Sequence, residues 1–111
     1  MNAALQTPIP TVFFANNSSA IDPRYEASLA EALEILNKYS SFQLEIHAYC
    51  SRSGKKAYNE ALSKKRMEAV QNWFVEHGIA KERLGNAFYH GIDYNAPSAA
   101  QARRAELWFV K

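Results

Sequence analysis

The stretch from Phe42 to Ser51 constrains the fold most. Phe42, Leu44, Ile46, Ala48 and Cys50 alternate with Gln43, Glu45, His47, Tyr49 and Ser51. Successive side chains of a strand point to opposite faces, so this period of two describes a strand with one covered face and one open face. Such a strand needs a second layer over its apolar side, and the flanking segments offer helices. Upstream, Asp22 and Pro23 read as a helix start, an acidic cap followed by proline in the first turn. Tyr25, Leu29, Ala32, Leu33, Leu36 and Tyr39 then recur at helical spacing. Downstream, a longer helix is expected from about Lys56 to about Glu76, closed at His77-Gly78 by a glycine stop.

The remaining segments extend the sheet. Pro8-Ile9-Pro10 leads into Thr11-Val12-Phe13-Phe14, a run of strand composition, and Asn16-Asn17-Ser18-Ser19 reads as a loop. Leu84 to Gly91 is expected to be a third strand. Arg103 to Val110 sets Ala105, Leu107 and Phe109 against Arg104, Glu106 and Trp108, and reads as a fourth. The expected architecture is α+β: a two-layer β-α-β-α-β-β sandwich with a mixed sheet and both long helices packed on one face. Residues 1–10 form a lead-in and residues 11–111 a single domain, in keeping with a chain of 111 residues.

Composition excludes several functions. A net charge of +2 without a pronounced basic stripe gives no reason to expect nucleic acid. No run approaches the roughly 20 apolar residues of a membrane span. The opening Met1-Asn2-Ala3-Ala4-Leu5-Gln6 lacks the basic start and apolar core of a secretion signal. If the protein is exported, its signal or membrane anchor lies outside this chain. Cys50 is the only cysteine, so no intrachain disulfide forms. His47, His77 and His90 follow no metal-ligand spacing, and no phosphate loop or nucleophile–base pair is evident. No metal, no cofactor and no catalytic residues are therefore expected.

The second helix contains a misfit. At about 100° per residue, Tyr58, Ala61, Leu62, Ala69, Val70, Trp73 and Phe74 form one apolar arc, with Lys64, Lys65 and Glu68 opposite. Arg66 falls inside the arc, on the side of Asn59. Either its head snorkels out past an apolar stem, or the core holds it and aims it at a cleft beside residues 51–54. Arginine suits the second post because its planar fork binds carboxylates bidentately. Arg52, Lys55, Lys56, Lys64 and Lys65 lie close in sequence with only Glu60 and Glu68 of opposite sign. That cluster is either a solvated helix face or a site receptive to an anionic group.

These segments resemble a known family. Ala48-Tyr49-Cys50-Ser51-Arg52-Ser53-Gly54, then Ala57-Tyr58-Asn59, then Leu62-Ser63-Lys64-Lys65-Arg66 are similar, without a gap, to the signature of the OmpA-like carboxy-terminal domains of OmpA, Pal and MotB type. That signature is G-[HY]-T-D-x-x-G, Y-N and L-S-x-x-R-A. Upstream, Phe14 through Asn17-Ser18 to Pro23 resembles F-x-x-[DN]-S…L-x-P. Downstream, Gly78-Ile79, Gly91, Asn95-Ala96-Pro97 and Arg103-Arg104-Ala105-Glu106-Leu107 resemble G-I, G-x-G, N-P and N-R-R-V-E-I. The resemblance runs from Val12 to Val110.

It implies a non-catalytic module of the bacterial cell envelope that binds peptidoglycan non-covalently in the periplasm, associated with the outer membrane. The implied ligand is the diaminopimelate of the peptidoglycan stem peptide, gripped at its charged ends by the signature Asp and Arg. Carried onto this chain, the ligand-binding set is Asn17, Ser51, Arg52, Asn59, Arg66 and Arg104. The Arg position is kept as Arg66, but Ser51 stands at the Asp position, Cys50 at the preceding Thr, Ala48 at the leading Gly and Ala102 before Arg103. A serine brings no charge to an ammonium, so the pocket is expected to be atypical. The alternative is an OmpA-like fold that has lost peptidoglycan binding and meets an envelope protein partner instead.

Overall fold

A computed structural model describes residues 11–51, 55–84 and 87–110, with the side chains of residues 87–89 left out. The elements are β1 (Thr11–Phe13), α1 (Glu26–Lys38), β2 (Gln43–Cys50), α2 (Lys56–Glu76), β3 (Ala87–Ile92), α3 (Ala99–Ala102) and β4 (Arg104–Val110). The lead-in, residues 1–10, falls outside the described residues.

The strands form one mixed sheet in the order β1-β4-β2-β3. β4 runs antiparallel to both β1 and β2, while β2 and β3 are parallel. Parallel neighbours need a long crossover, and α2 provides it. The alternation read from the sequence decides which face is covered. Leu44, Ile46 and Ala48 of β2 and Ala105, Leu107 and Phe109 of β4 join Val12 in the core. Against them pack Leu29, Ala32 and Leu36 of α1 and Met67, Val70 and Phe74 of α2. Glu45, His47, Tyr49, Arg104, Glu106 and Trp108 stand half-buried on the outer face, away from the two long helices.

The helix ends follow local chemistry. Asp22 Oδ1 accepts from the Arg24 N–H at 2.9 Å, and a 3-10 turn over Pro23–Tyr25 precedes α1. At the end of α2, Gly78 N–H donates to Val75 O at 3.1 Å and Ile79 N–H to Phe74 O at 3.0 Å. This paired closure needs a left-handed residue, and Gly78 has φ +94.

Four details differ from the sequence reading. Leu84 is not in a strand; it is buried at the end of a 3-10 turn, Lys81–Leu84, and β3 starts only at Ala87. Arg83 holds that turn by donating to Tyr39 O at 2.9 Å and to Phe42 O at 2.8 Å. Tyr39, expected on the apolar stripe of α1, is its exposed C-cap and stacks on Phe42 with centroids 5.0 Å apart. Tyr58 and Ala61 are exposed, and the buried side of α2 runs through Asn59, Leu62, Ser63, Arg66, Met67, Val70 and Phe74. The amino-terminal half of α2 packs on polar loop ends, so burial and hydrophobicity part company there. Lastly α3, not foreseen, is capped by Ser98 Oγ accepting from Gln101 N–H at 3.2 Å.

Candidate functional site

Arg66 is the largest fully buried side chain, with 0% of it exposed. Snorkelling is thereby ruled out. Its Nε donates to Ser18 O at 2.9 Å, Nη1 to Tyr49 O at 3.1 Å, and Nη2 to Ala15 O at 3.2 Å. The guanidinium carbon lies 5.2 Å from the centre of the Phe14 ring. One side chain of α2 thus ties the β1–α1 loop to the carboxy-terminal end of β2. Burial pushes the guanidinium below its ordinary value; the Cys50 sulfur opposes that shift and the nearby charge of Arg103 adds to it. No carboxylate forms an ion pair with Arg66 among the described residues.

The signature residues gather around this head. Cys50 Sγ donates to Asn59 O at 2.8 Å and accepts from Arg66 Nη1 at 3.5 Å. Burial raises the thiol above its ordinary value, which Arg66 partly offsets, so at neutral pH it keeps the proton it donates. Ser51, next in the chain, is buried, as is Asn59. Ser63 Oγ donates to Glu60 O at 2.9 Å and accepts from Gly91 N–H at 3.2 Å, fastening α2 to the end of β3. Asn17 adopts a left-handed conformation, φ 57, that asparagine tolerates, and its Oδ1 accepts from Tyr58 OH at 3.2 Å. Asn17, Ser51, Asn59 and Arg66 therefore all lie where the β1–α1 loop, the end of β2 and the start of α2 meet. Arg52 lies outside the described residues.

Arg104 does not join them. Its side chain is on the outer face of the sheet, with Tyr49 beneath it at 4.0 Å from the ring centre. Nη1 pairs with Asp93 Oδ2 and Nε with Glu106 Oε2, each at 2.8 Å. Although burial pushes the Asp93 carboxyl up, hydrogen bonds from Arg104 and from the Asn95 and Ala96 N–H groups outweigh it and lower it. This arginine is matched by two carboxylates.

The neighbouring Arg103, which the sequence reading passed over, faces the other way. It donates from Nε to Phe14 O at 3.0 Å, while neither terminal nitrogen meets a carboxylate among the described residues. It lines a groove of about 630 Å³ together with Phe13, Ala15, Ser18, Tyr25 and Gln101. Ala15 and Ser18, whose carbonyls Arg66 holds, are thus also lining residues of a groove that Arg103 lines. The signal was present in the sequence: Ala105 faces inward, so Arg104 must face outward.

No helix among the described residues is long and apolar enough to cross a membrane. The family model for the OmpA family matches residues 13–106. The chain is 30% identical over 78 residues, 70% of its length, to the peptidoglycan-associated lipoprotein of Mesorhizobium japonicum, and this match spans 46% of that protein. Among solved structures, the peptidoglycan-associated lipoprotein of Burkholderia pseudomallei is similar with a TM-score of 0.81 and 25% identity, covering 90% of this chain and 89% of that one. The periplasmic domain of Helicobacter pylori MotB shares the fold alone, with a TM-score of 0.73 and 16% identity over 90% of this chain and 70% of that one. With its signature arginine at the loop junction and its mixed sheet backed by two long helices, the chain belongs to the OmpA family.

Proposed function

We propose that this domain is a non-catalytic module of the bacterial periplasm that anchors its parent protein or complex to peptidoglycan through an atypical site for the diaminopimelate end of a stem peptide. The observation that carries this reading is a pair of cations, Arg66 and Arg103, that form no ion pair with a carboxylate among the described residues. Arg66 is desolvated with only carbonyls, a thiol and a ring about it, and Arg103 stands near it at the wall of the groove. A buried unmatched cation is costly, and an arriving carboxylate would relieve that cost. Arg103 is the reachable arm, with Arg66 behind it fixing the β1–α1 loop to the end of β2. Asn17, Ser51 and Asn59, gathered around the Arg66 head, are the further residues proposed to shape the site. The family likeness and the relatives named for peptidoglycan association support the ligand class.

Ser51 sets the limit of the likeness. It supplies no charge for the ammonium of diaminopimelate, and a charge-assisted hydrogen bond is worth about 1.5–3 kcal/mol, or roughly ten- to a hundredfold in affinity. Pull-down with purified sacculi tests the reading. Wild type is expected to bind weakly, Ser51→Asp more tightly, and Arg103→Ala less than wild type by about tenfold. No binding by the wild type and none by Ser51→Asp would sink it. Ser51 also favours a second reading, in which the fold persists without wall binding and serves contact with an envelope protein. That reading gains if the wild type ignores sacculi yet stays folded and monodisperse.

A further inference from the structure

The outer face of the sheet carries a contact that anchoring does not use. His47 of β2 and His90 of β3 approach with Nδ1 and Nε2 2.9 Å apart. Their rings are 11° from parallel with centroids 5.1 Å apart. That separation nearly equals the nitrogen gap plus the reach of each ring, so the two nitrogens face one another almost head-on. A proton fits there, whereas a metal ion would have to drive the rings apart. No group of three or more metal-ligating side chains is placed to hold one among the described residues.

The surroundings fix the direction of the hydrogen bond. The other nitrogen of His47, Nε2, lies 3.2 Å from Glu45 Oε1. An ionised carboxylate only accepts, so Nε2 holds a proton, neutral His47 accepts at Nδ1, and His90 donates from Nε2. The His90 ring stacks on Tyr49 at 4.6 Å, and Trp108 tilts against His47 at 5.9 Å. The charged and titratable groups facing the pair are Glu45 and Tyr49 from β2, Arg104 and Glu106 from β4, and Asp93 just beyond β3.

We propose that His47 and His90 form a two-proton switch that governs how the edge strand β3 docks on β2. A first proton keeps the bond, now an N–H⁺···N contact beside Glu45. A second leaves two donors and two positive charges facing each other, and the contact opens. β3 is exposed to this because, among the described residues, it pairs only with β2, and the ladder shifts register between Ala48 and Cys50. Burial, then the charge of His47, push His90 below its ordinary 6.5. A lowered histidine stabilises the folded state fully above about pH 6.5, and that contribution is lost as pH falls through the lowered value.

The test follows the imidazole carbon and backbone amide signals by NMR from pH 8 to 5. The His90 signals are expected to change in two steps, because its ring nitrogen faces another across a shared proton. Amides of residues 90–92 should shift with the second step only and lose protection about tenfold, the size of one hydrogen bond, while α1 stays unchanged. In His47→Gln, His90 should titrate in one step nearer its ordinary value and the β3 response should vanish. His90→Phe keeps a ring on Tyr49 and should also leave β3 insensitive to acid. A single-step change of the His90 signals in the wild type, or a β3 response that persists in both variants, would overturn the proposal.

Discussion

At the scale of the residue, Arg66 does the work that a run of backbone hydrogen bonds does elsewhere. Its fork spans carbonyls of Ala15 and Ser18 in the β1–α1 loop and of Tyr49 near the end of β2. Arg66→Ala would leave these acceptors without partners, each worth about 1–3 kcal/mol when buried. We expect a loss of about 3 kcal/mol or more in urea unfolding, and little recovery in Arg66→Lys, because an ammonium is a point charge that cannot reach all three. Loss below about 1 kcal/mol would mean water replaces the guanidinium freely. The anomaly itself was legible, since an arginine inside an apolar arc stands out against its neighbours. Its partners were not, because backbone carbonyls leave no mark on a sequence. The Arg103–Arg104 pair teaches a related point. A motif offering two adjacent arginines does not say which faces the groove, but the strand period does, and it selects Arg103.

Among the elements, the helix limits were the most legible feature, because Asp22, Pro23 and Gly78 carry their conformational preferences locally. The buried side of α2 was harder to read. Asn59, Ser63 and Arg66 are buried there by hydrogen bonding to loop ends, and a hydrophobic pattern cannot register that. β3 was displaced for a similar reason: Leu84 follows Arg83 into a turn anchored by Tyr39 and Phe42 carbonyls. The two left-handed glycines should respond differently to substitution. Gly78→Ala has open space around it, so only backbone strain applies, about 1 kcal/mol. Gly91→Ala would in addition bring a methyl to 3.3 Å from Glu60 Cγ and disturb the N–H that Ser63 accepts. Denaturant titration should show Gly91→Ala as the more damaging of the two. The reverse order would place the strain elsewhere.

For the whole molecule, the sheet order matters more than any single contact. β4 pairs with β1 through Val12 and Ala105 and with β2 from Gln43 to Ala48, so it is shared by both halves of the chain. We expect one cooperative transition, with far-ultraviolet dichroism and tryptophan fluorescence coinciding, since Trp73 reports from α2 and Trp108 from β4. A fluorescence change well ahead of the dichroism would show that packing around the tryptophans loosens before the secondary structure is lost. The mixed sheet and its covering helices were foreseeable from alternation and connection length. That β4 would enter between β1 and β2 was not, because strand order depends on pairing partners rather than on any one segment's pattern.

That central place has a consequence in time. A ribosome adds roughly 5–20 residues per second, so β1 and β2 wait on the order of ten seconds for the strand that joins them. Until residues 104–110 emerge, β1 has no strand partner among the described residues and β2 keeps one edge unpaired. The sheet therefore cannot close around β4 while residues 11–103 are being made, and the domain completes itself only when β4 arrives.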